Sequence, residues 1–245
     1  WLDRRAERVL GLKEEVTLLN ADKLSLFMGY IFGLIGFLIT IYSIHVKKSE
    51  YHAFAFLYIG SALGVVFAGD FFSLYIFWEI MALSAAALIW SKRDKESFQA
   101  GIRYLIMHLI GGISLLAGIL MHYASSGSIQ VSSNITPGLP SALILTGVGL
   151  NAAFILLHTW LPDAYPKASF TASVLLSVYT TKSAVYVLAR TFPGISVVAY
   201  MGAFMAVYGV TFALLQNNTR KLLSYSLISK VGYIVAGIGI GTAMG

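Results

Sequence analysis

Eight long apolar runs dominate the sequence and restrict the folds open to it. They cover residues 24–46, 53–69, 71–90, 98–123, 141–161, 168–190, 195–215 and 222–243. A helix needs about 20 residues to cross a hydrocarbon core of ~30 Å, and each run is close to that length. None of the runs alternates with a period of two, as the strands of a membrane barrel do. We therefore predict an all-α polytopic membrane protein with about eight transmembrane helices.

The composition agrees with a membrane protein and excludes several other classes. Charged residues make up 11% of the 245 residues and hydrophobic residues 58%, whereas a soluble domain usually has about 25% charged residues. Because there is no cysteine, disulfides, thiolate-bound zinc and cysteine-ligated iron–sulfur clusters are excluded on this chain. The net charge of +6 lies in short clusters between the apolar runs, so we expect contact with membrane lipid and no nucleic-acid partner.

The loops between the runs predict the orientation of the chain in the membrane. If the runs alternate in direction, four loops at one face hold eight lysines and arginines: 47, 48, 92, 93, 95, 167, 220 and 221. The loops at the opposite face hold only Arg190. Because cytoplasmic loops are enriched in Lys and Arg, the first face is predicted to be cytoplasmic. Residues 1–23 then form an extracytoplasmic strip, although basic and acidic residues are interspersed in it, and residues 24–245 form the membrane domain.

Three charged residues lie well inside the apolar runs, namely Glu79, Lys182 and Lys230. At ~1.5 Å per residue, Glu79 lies ~12 Å from the outer end of its helix. An unpaired charge at such a depth costs about 2.5–3.5 kcal/mol on insertion scales. A structural ion pair is one interpretation. The second interpretation is a relay for protons or ions, and it is favoured because the three titratable groups lie at different depths.

Histidines extend the set of relay candidates. His108 and His158 lie in apolar runs four and five and are predicted as further relay positions. A bis-histidine haem is disfavoured because His108 and His122 share one helix face, and neither His45 nor His52 offers matching ligands at two depths. We therefore expect no cofactor and no metal centre on this chain, and a quinone-binding or haem-binding redox subunit is the least favoured alternative.

The segment HTWLPDAYPKAS, residues 158–169, predicts a broken helix at the membrane boundary. Pro162 and Pro166 remove backbone donors, and Asp163 lies between them. Broken helices are typical of transporter ion paths, although an ordinary loop would explain these residues equally well.

Five segments together resemble a known family. They are HTWLPDAYPKAS, LLSVYTTKSAVYVLAR (175–190), NNTRKLLSYSLISKVGY (217–233), GDFFSLYIFWEIMALSAAALIW (69–90) and DKLSLFMGYIFGLIGFLITIYSI (22–44). The chain is similar to the antiporter-like subunits of respiratory complex I, to Mrp-type cation/proton antiporter subunits and to membrane-bound hydrogenase relatives. This resemblance runs from about residue 22 to residue 243. It implies a prokaryotic inner-membrane complex with other membrane subunits, including homologous antiporter-like ones.

The resemblance also implies an architecture. The family fold has about fourteen helices with two inverted five-helix repeats, each of which forms a half-channel. This chain would hold helices three to nine, with the seventh broken, and would lack the second repeat. Because it begins with Trp1 rather than Met, we expect a piece of a longer polypeptide, or equally a processed or split subunit.

The resemblance assigns roles residue by residue. Glu79 matches the fifth-helix glutamate and Lys182 the relay lysine of the eighth helix. The seventh-helix lysine that pairs with the glutamate should lie seven residues before His158, and that position is Asn151. Lys230 lies where relatives often carry His or Gln. The implied function is translocation of H⁺, Na⁺ or both, and the alternative is a structural or coupling subunit with a degenerate, non-conducting channel.

Overall fold

The protein is described here by a computed structural model, in which residues 16–242 are placed. In order, its helices are α1 (Lys23–Tyr42), α2 (Ser49–Phe67), α3 (Phe71–Trp90), α4 (Lys95–Ser126), α5 (Leu139–Asn151), α6 (Trp160–Ala164), α7 (Phe170–Thr191), α8 (Ser196–Leu214) and α9 (Thr219–Ile240). A short 3-10 helix, Tyr165–Lys167, follows α6. Residues 16–242 contain no strand beyond one isolated bridge between Asp70 and Gln130. The predicted all-α fold is confirmed, and residues 1–15 of the predicted N-terminal strip lie outside the described range.

Seven of these helices, α1 to α4 and α7 to α9, are long and apolar enough to cross a membrane. Their positions agree with seven of the eight predicted runs. Three of these helices begin at the expected boundaries because an aspartate caps each of them. The side chains of Asp22, Asp70 and Asp94 accept backbone N–H groups in the first turns of α1, α3 and α4. Such caps satisfy donors that have no partner inside the helix. The chain is a multi-pass membrane protein.

The fifth run, 141–161, is not one continuous span. Helix α5 has 13 residues, or ~20 Å at 1.5 Å per residue, and it ends at Asn151. The break predicted near residues 158–169 begins earlier, at Ala152. Its cause is the backbone of Ala153 and Leu156, which have φ angles of 61° and 78°, a left-handed conformation that residues other than glycine seldom adopt.

The two prolines of the predicted break lie after the observed break, in the short helices that follow it. Pro162 lies in the first turn of α6 and Pro166 in the 3-10 helix. A proline in a first helical turn removes an N–H that would have no intrahelical partner there. The prolines therefore fit the short helices after the break and do not cause it.

Helix α7 is the most buried of the seven spans. It packs against α1, α2, α3, α5 and α9. The antiparallel pair α4 and α5 approaches to backbone contact, because a Cβ atom on Gly147 would lie 2.6 Å from the carbonyl oxygen of Gly111. This close approach fixes the depth at which α5 ends beside α4.

Candidate functional site

Glu79 lies where α3 crosses α4. Its Oε1 atom is buried, and no described residue hydrogen-bonds to it. A Cβ atom on Gly112 of α4 would overlap this oxygen, so the glycine leaves the space that the carboxylate occupies. None of the ion pairs within residues 16–242 includes Glu79. The predicted intramembrane acid is therefore an unpaired group at a helix crossing.

Asn151 is the last residue of α5 and is fully buried. Neither Oδ1 nor Nδ2 of its amide has a partner in the described part of the chain. Its neighbour Leu150 packs on α4 at Gly111, where a Cβ would lie 3.3 Å from Leu150 Cδ1. Since Gly111 and Gly112 are successive residues, Glu79 and the end of α5 pack against adjacent positions of α4.

His108 lies one helical turn before Gly112 on α4, and it is 1% exposed. Its Nδ1 donates to the carbonyl oxygen of Tyr104 at 2.9 Å, and the two rings stack with their centroids 3.8 Å apart. Nε2 has no partner among the described residues. The ring of Trp160 stands 4.6 Å from His108, and its Nε1–H donates to the carbonyl oxygen of Leu150 at 3.0 Å. The structure therefore brings Glu79, His108 and Asn151 to one region.

Lys182 and Lys230 form a second group. The Nζ of Lys182 donates to the carbonyl oxygen of Ser177 at 2.6 Å. Ser177 and Lys230 both line a cavity of about 490 Å³ between α7 and α9. Neither ammonium group is in an ion pair within the described residues. Lys230 therefore lines the cavity, Lys182 bonds to the backbone of a residue that lines it, and neither lysine forms an ion pair with Glu79.

A cluster of hydroxyl groups lies beside the first group, where α7 meets α2 and α4. The Tyr58 hydroxyl is 2.6 Å from Thr180 Oγ1, and the Tyr104 hydroxyl is 3.4 Å from the same atom. Tyr104 stacks on His108, and Thr180 lies two residues before Lys182. Tyr58, Tyr104 and Thr180 are not among the predicted site residues, because tyrosines in apolar runs are ordinarily packing residues. The only signal in the sequence is the polar segment YTTK in α7.

His158 and the segment that follows it face other neighbours. The Nε2 of His158 lies 3.1 Å from the Tyr208 hydroxyl on α8. Asp163 accepts two hydrogen bonds from Arg103 of α4, at 2.7 and 3.1 Å, and one from Lys167 at 2.6 Å. Burial would raise the pKa of Asp163, but the hydrogen bonds from Arg103 and Lys167 outweigh it and hold that pKa below its usual value. Asp163 therefore anchors α6 to α4, and Pro162 and Pro166 shape this segment.

Buried polar atoms without a partner are concentrated around these residues. They include Trp78 Nε1, Glu79 Oε1, His108 Nε2, Asn151 Oδ1 and Nδ2, His158 Nδ1, Thr181 Oγ1 and Ser183 Oγ. Most buried polar groups in proteins have a hydrogen-bond partner, and internal water usually supplies one where the protein does not. A hydrated path for protons or ions would supply partners for several such atoms in a helix bundle.

Comparisons with known proteins place this arrangement in a family. The profile of the family described as NADH:quinone oxidoreductase/Mrp antiporter, TM matches residues 68–245. Hydrogenase-4 component B of Escherichia coli is 30% identical over 91% of this chain and 37% of its own length. A Na⁺/H⁺ antiporter subunit of Alkalihalophilus pseudofirmus is 28% identical over 91% of this chain and 31% of its own length.

Solved structures give the same fold. A chain of the Mrp complex from Dietzia sp. superposes with a TM-score of 0.83 at 23% identity, and the match covers 90% of this chain and 46% of that one. At this identity the likeness shows the fold alone. The chain spans less than half the length of these relatives. The family profile matches most of its residues, and the protein therefore belongs to the NADH:quinone oxidoreductase/Mrp antiporter transmembrane family.

Proposed function

We propose that this chain translocates protons, Na⁺ or both as an antiporter-like membrane subunit of a complex I-related respiratory, hydrogenase or Mrp-type complex. The observation that carries the proposal is the group of buried, unpartnered polar atoms of Glu79, His108 and Asn151. Such atoms in membrane helices are expensive, and a path for ions accounts for several of them together. Two of the relatives are a hydrogenase component and a Na⁺/H⁺ antiporter subunit, and both fit this function.

The proposed path runs from the cavity between α7 and α9 to the crossing of α3 and α4. Lys230 exchanges protons with water in the cavity, and Lys182 is the next group along the path. The hydroxyl groups of Thr180 and Tyr104 lead from α7 to His108, and Glu79 accepts or releases the ion at the far end. Two unit charges about 8 Å apart at an effective dielectric constant of about 20 interact by about 2 kcal/mol. That energy changes the proton occupancy of a group about thirtyfold, so loading one group of the path alters a neighbour at that distance.

The surroundings of the path belong to the same proposal. The basic loops face the cytoplasm of a prokaryotic cell, and the N-terminal strip lies outside its inner membrane. Homologous antiporter-like subunits and other membrane subunits pack beside this chain. A redox cofactor, where the complex has one, is held by another subunit.

One observation favours a second function. The resemblance implies a lysine at position 151, and this chain has a neutral asparagine there. Without that lysine, Glu79 has no ion-pair partner among the described residues. A structural or coupling subunit with a non-conducting channel would tolerate this loss.

Transport measurements on the full complex separate the two functions. Glu79→Gln and Lys182→Ala are introduced singly, and the complex is reconstituted into vesicles in which ΔpH and Na⁺ flux are followed. The control is Glu50→Gln, which alters an acid whose side chain is 66% exposed at the surface. The proposal expects the first two variants to lose transport while the complex still assembles. If both transport ions like the parent, the translocation function is wrong and the structural function is favoured.

A further inference from the structure

The end of α5 exposes several oxygen atoms to the protein interior. The carbonyls of residues 148–150 accept N–H groups from the chain that follows. The next three carbonyls, of Asn151, Ala152 and Ala153, accept no hydrogen bond from any residue in the described part of the chain. These three residues are all fully buried. With Oδ1 of Asn151, the break therefore has four buried oxygen atoms without a donor.

The electrostatics of this place favour a cation. The carbonyl end of a helix carries a partial negative charge, and α5 ends here. Glu79 adds a carboxylate that packs against the neighbouring glycine of α4 and has no described cation beside it. The ring nitrogen of His108 that carries a proton donates to Tyr104 instead. The oxygen atoms of the break therefore have neither a donor nor a compensating positive charge within residues 16–242.

We propose that the break after α5 is a binding site for one monovalent alkali cation. Oδ1 of Asn151 and the carbonyl oxygens of residues 151–153 are its ligands, and Glu79 is the counter-charge. Carbonyl oxygens at broken helices replace the hydration shell of such ions in transporters and channels. A single carboxylate matches a monovalent ion, whereas divalent ions usually take several oxygens of higher charge. The part that this ion plays in transport rests on the proposed function, but its binding does not.

The test measures binding in the purified full complex rather than transport. Radioactive Na⁺ is counted at equilibrium, with K⁺ and choline as competitors, and thermal unfolding is followed in the same salts. Asn151→Lys places an ammonium group where the ion binds, so one bound Na⁺ per copy of this chain is expected to disappear. Asn134→Lys, which alters an exposed asparagine of an outer loop, is the matched control and should keep the parent's stoichiometry.

A second variant, Asn151→Asp, keeps the test decisive if Asn151→Lys misfolds, because it is expected to gain affinity rather than lose it. Asn151→Asp adds a negative charge beside the carbonyl oxygens, and we expect it to bind Na⁺ about tenfold more tightly. An unchanged Na⁺ stoichiometry in Asn151→Lys, or an unchanged affinity in Asn151→Asp, overturns the site. These outcomes are independent of the transport test. If the site stands while Glu79→Gln and Lys182→Ala both transport normally, only the proposed function fails.

Discussion

The indole of Trp160 bridges the break in the helix by donating its Nε1–H to the carbonyl oxygen of Leu150 at 3.0 Å. The two residues belong to the two short helices on either side of the break, α6 and α5. The same ring packs edge-on against His108 of α4 at 4.6 Å. One buried side chain therefore holds the end of α5, the start of α6 and a candidate relay histidine in fixed relative positions.

Trp160→Phe is predicted to loosen the break while keeping most of the packing of the ring. The variant removes one donor from a buried carbonyl that still accepts the N–H of Ala153, and we expect a loss of about 1 kcal/mol in the free energy of unfolding. Thermal unfolding of the detergent-purified chain checks this value. Trp90→Phe removes a comparable bond to Phe98 that is exposed, and it should cost less. Equal losses in the two variants would show that the bridge has no special role.

Asp163→Asn is predicted to destabilise the contact between α6 and α4 in a pH-dependent manner. The pKa of Asp163 lies below its usual value in the folded chain. Its ion pairs therefore contribute stability above the unfolded pKa of about 3.9, and this contribution is lost as the pH falls through the folded pKa. The side chains of Asp163 and Arg103 are 28% and 49% exposed, so at pH 7 we expect a loss of only about 1 kcal/mol.

The measurement for Asp163→Asn is the unfolding free energy of parent and variant at several pH values. The difference between them should be largest near neutral pH and should shrink below pH about 4. Glu50→Gln is the control, since it removes an exposed pair with Arg93 that is expected to contribute less than about 0.5 kcal/mol. A difference that grows toward acid pH would contradict the assignment.

The sequence predicts most of the helices because hydrophobic runs and capping residues agree at their ends. The predicted run 71–90 and helix α3 have the same bounds, since Asp70 caps the helix immediately before an uninterrupted apolar run. The depth of Glu79 in this helix follows directly. What the sequence does not show is the neighbour of the carboxylate, because only the crossing of α3 and α4 places Gly112 against it.

The position of the break is the main feature that the sequence does not predict. Prolines are the visible signal, and they point to residues 158–169. The chain turns instead at Ala153 and Leu156, which take left-handed φ angles without the glycine that usually marks them. Tertiary packing imposes this conformation, since both sides of the break are held by Trp160. Asn151 thereby becomes the end of a helix and not a position within one.

Tyr104→Phe is predicted to slow ion transport more than it lowers stability. The lost hydroxyl is 3.4 Å from Thr180 Oγ1, a long contact whose removal should cost less than about 1 kcal/mol. If this hydroxyl carries protons between Thr180 and His108, transport should fall about three- to tenfold. Tyr179→Phe is the matched control, because it removes a buried 2.9 Å bond to the carbonyl of Phe32 outside the proposed path. It should lower stability and leave the transport rate of the assembled complex unchanged.

Gly112→Ala tests the place of the Glu79 carboxylate without changing any polar group. The added Cβ would overlap Oε1 of Glu79, so the carboxylate must move away from the crossing of α3 and α4. We expect transport by the full complex to fall by about tenfold, which corresponds to about 1.4 kcal/mol in the barrier. Gly60→Ala is the control, because that helical glycine has no atom within 4 Å of the added Cβ. Alanine there should stabilise α2 by about 0.5–1 kcal/mol and leave transport as it is. If Gly112→Ala transported like Gly60→Ala, the position of the Glu79 carboxylate would have no part in ion movement.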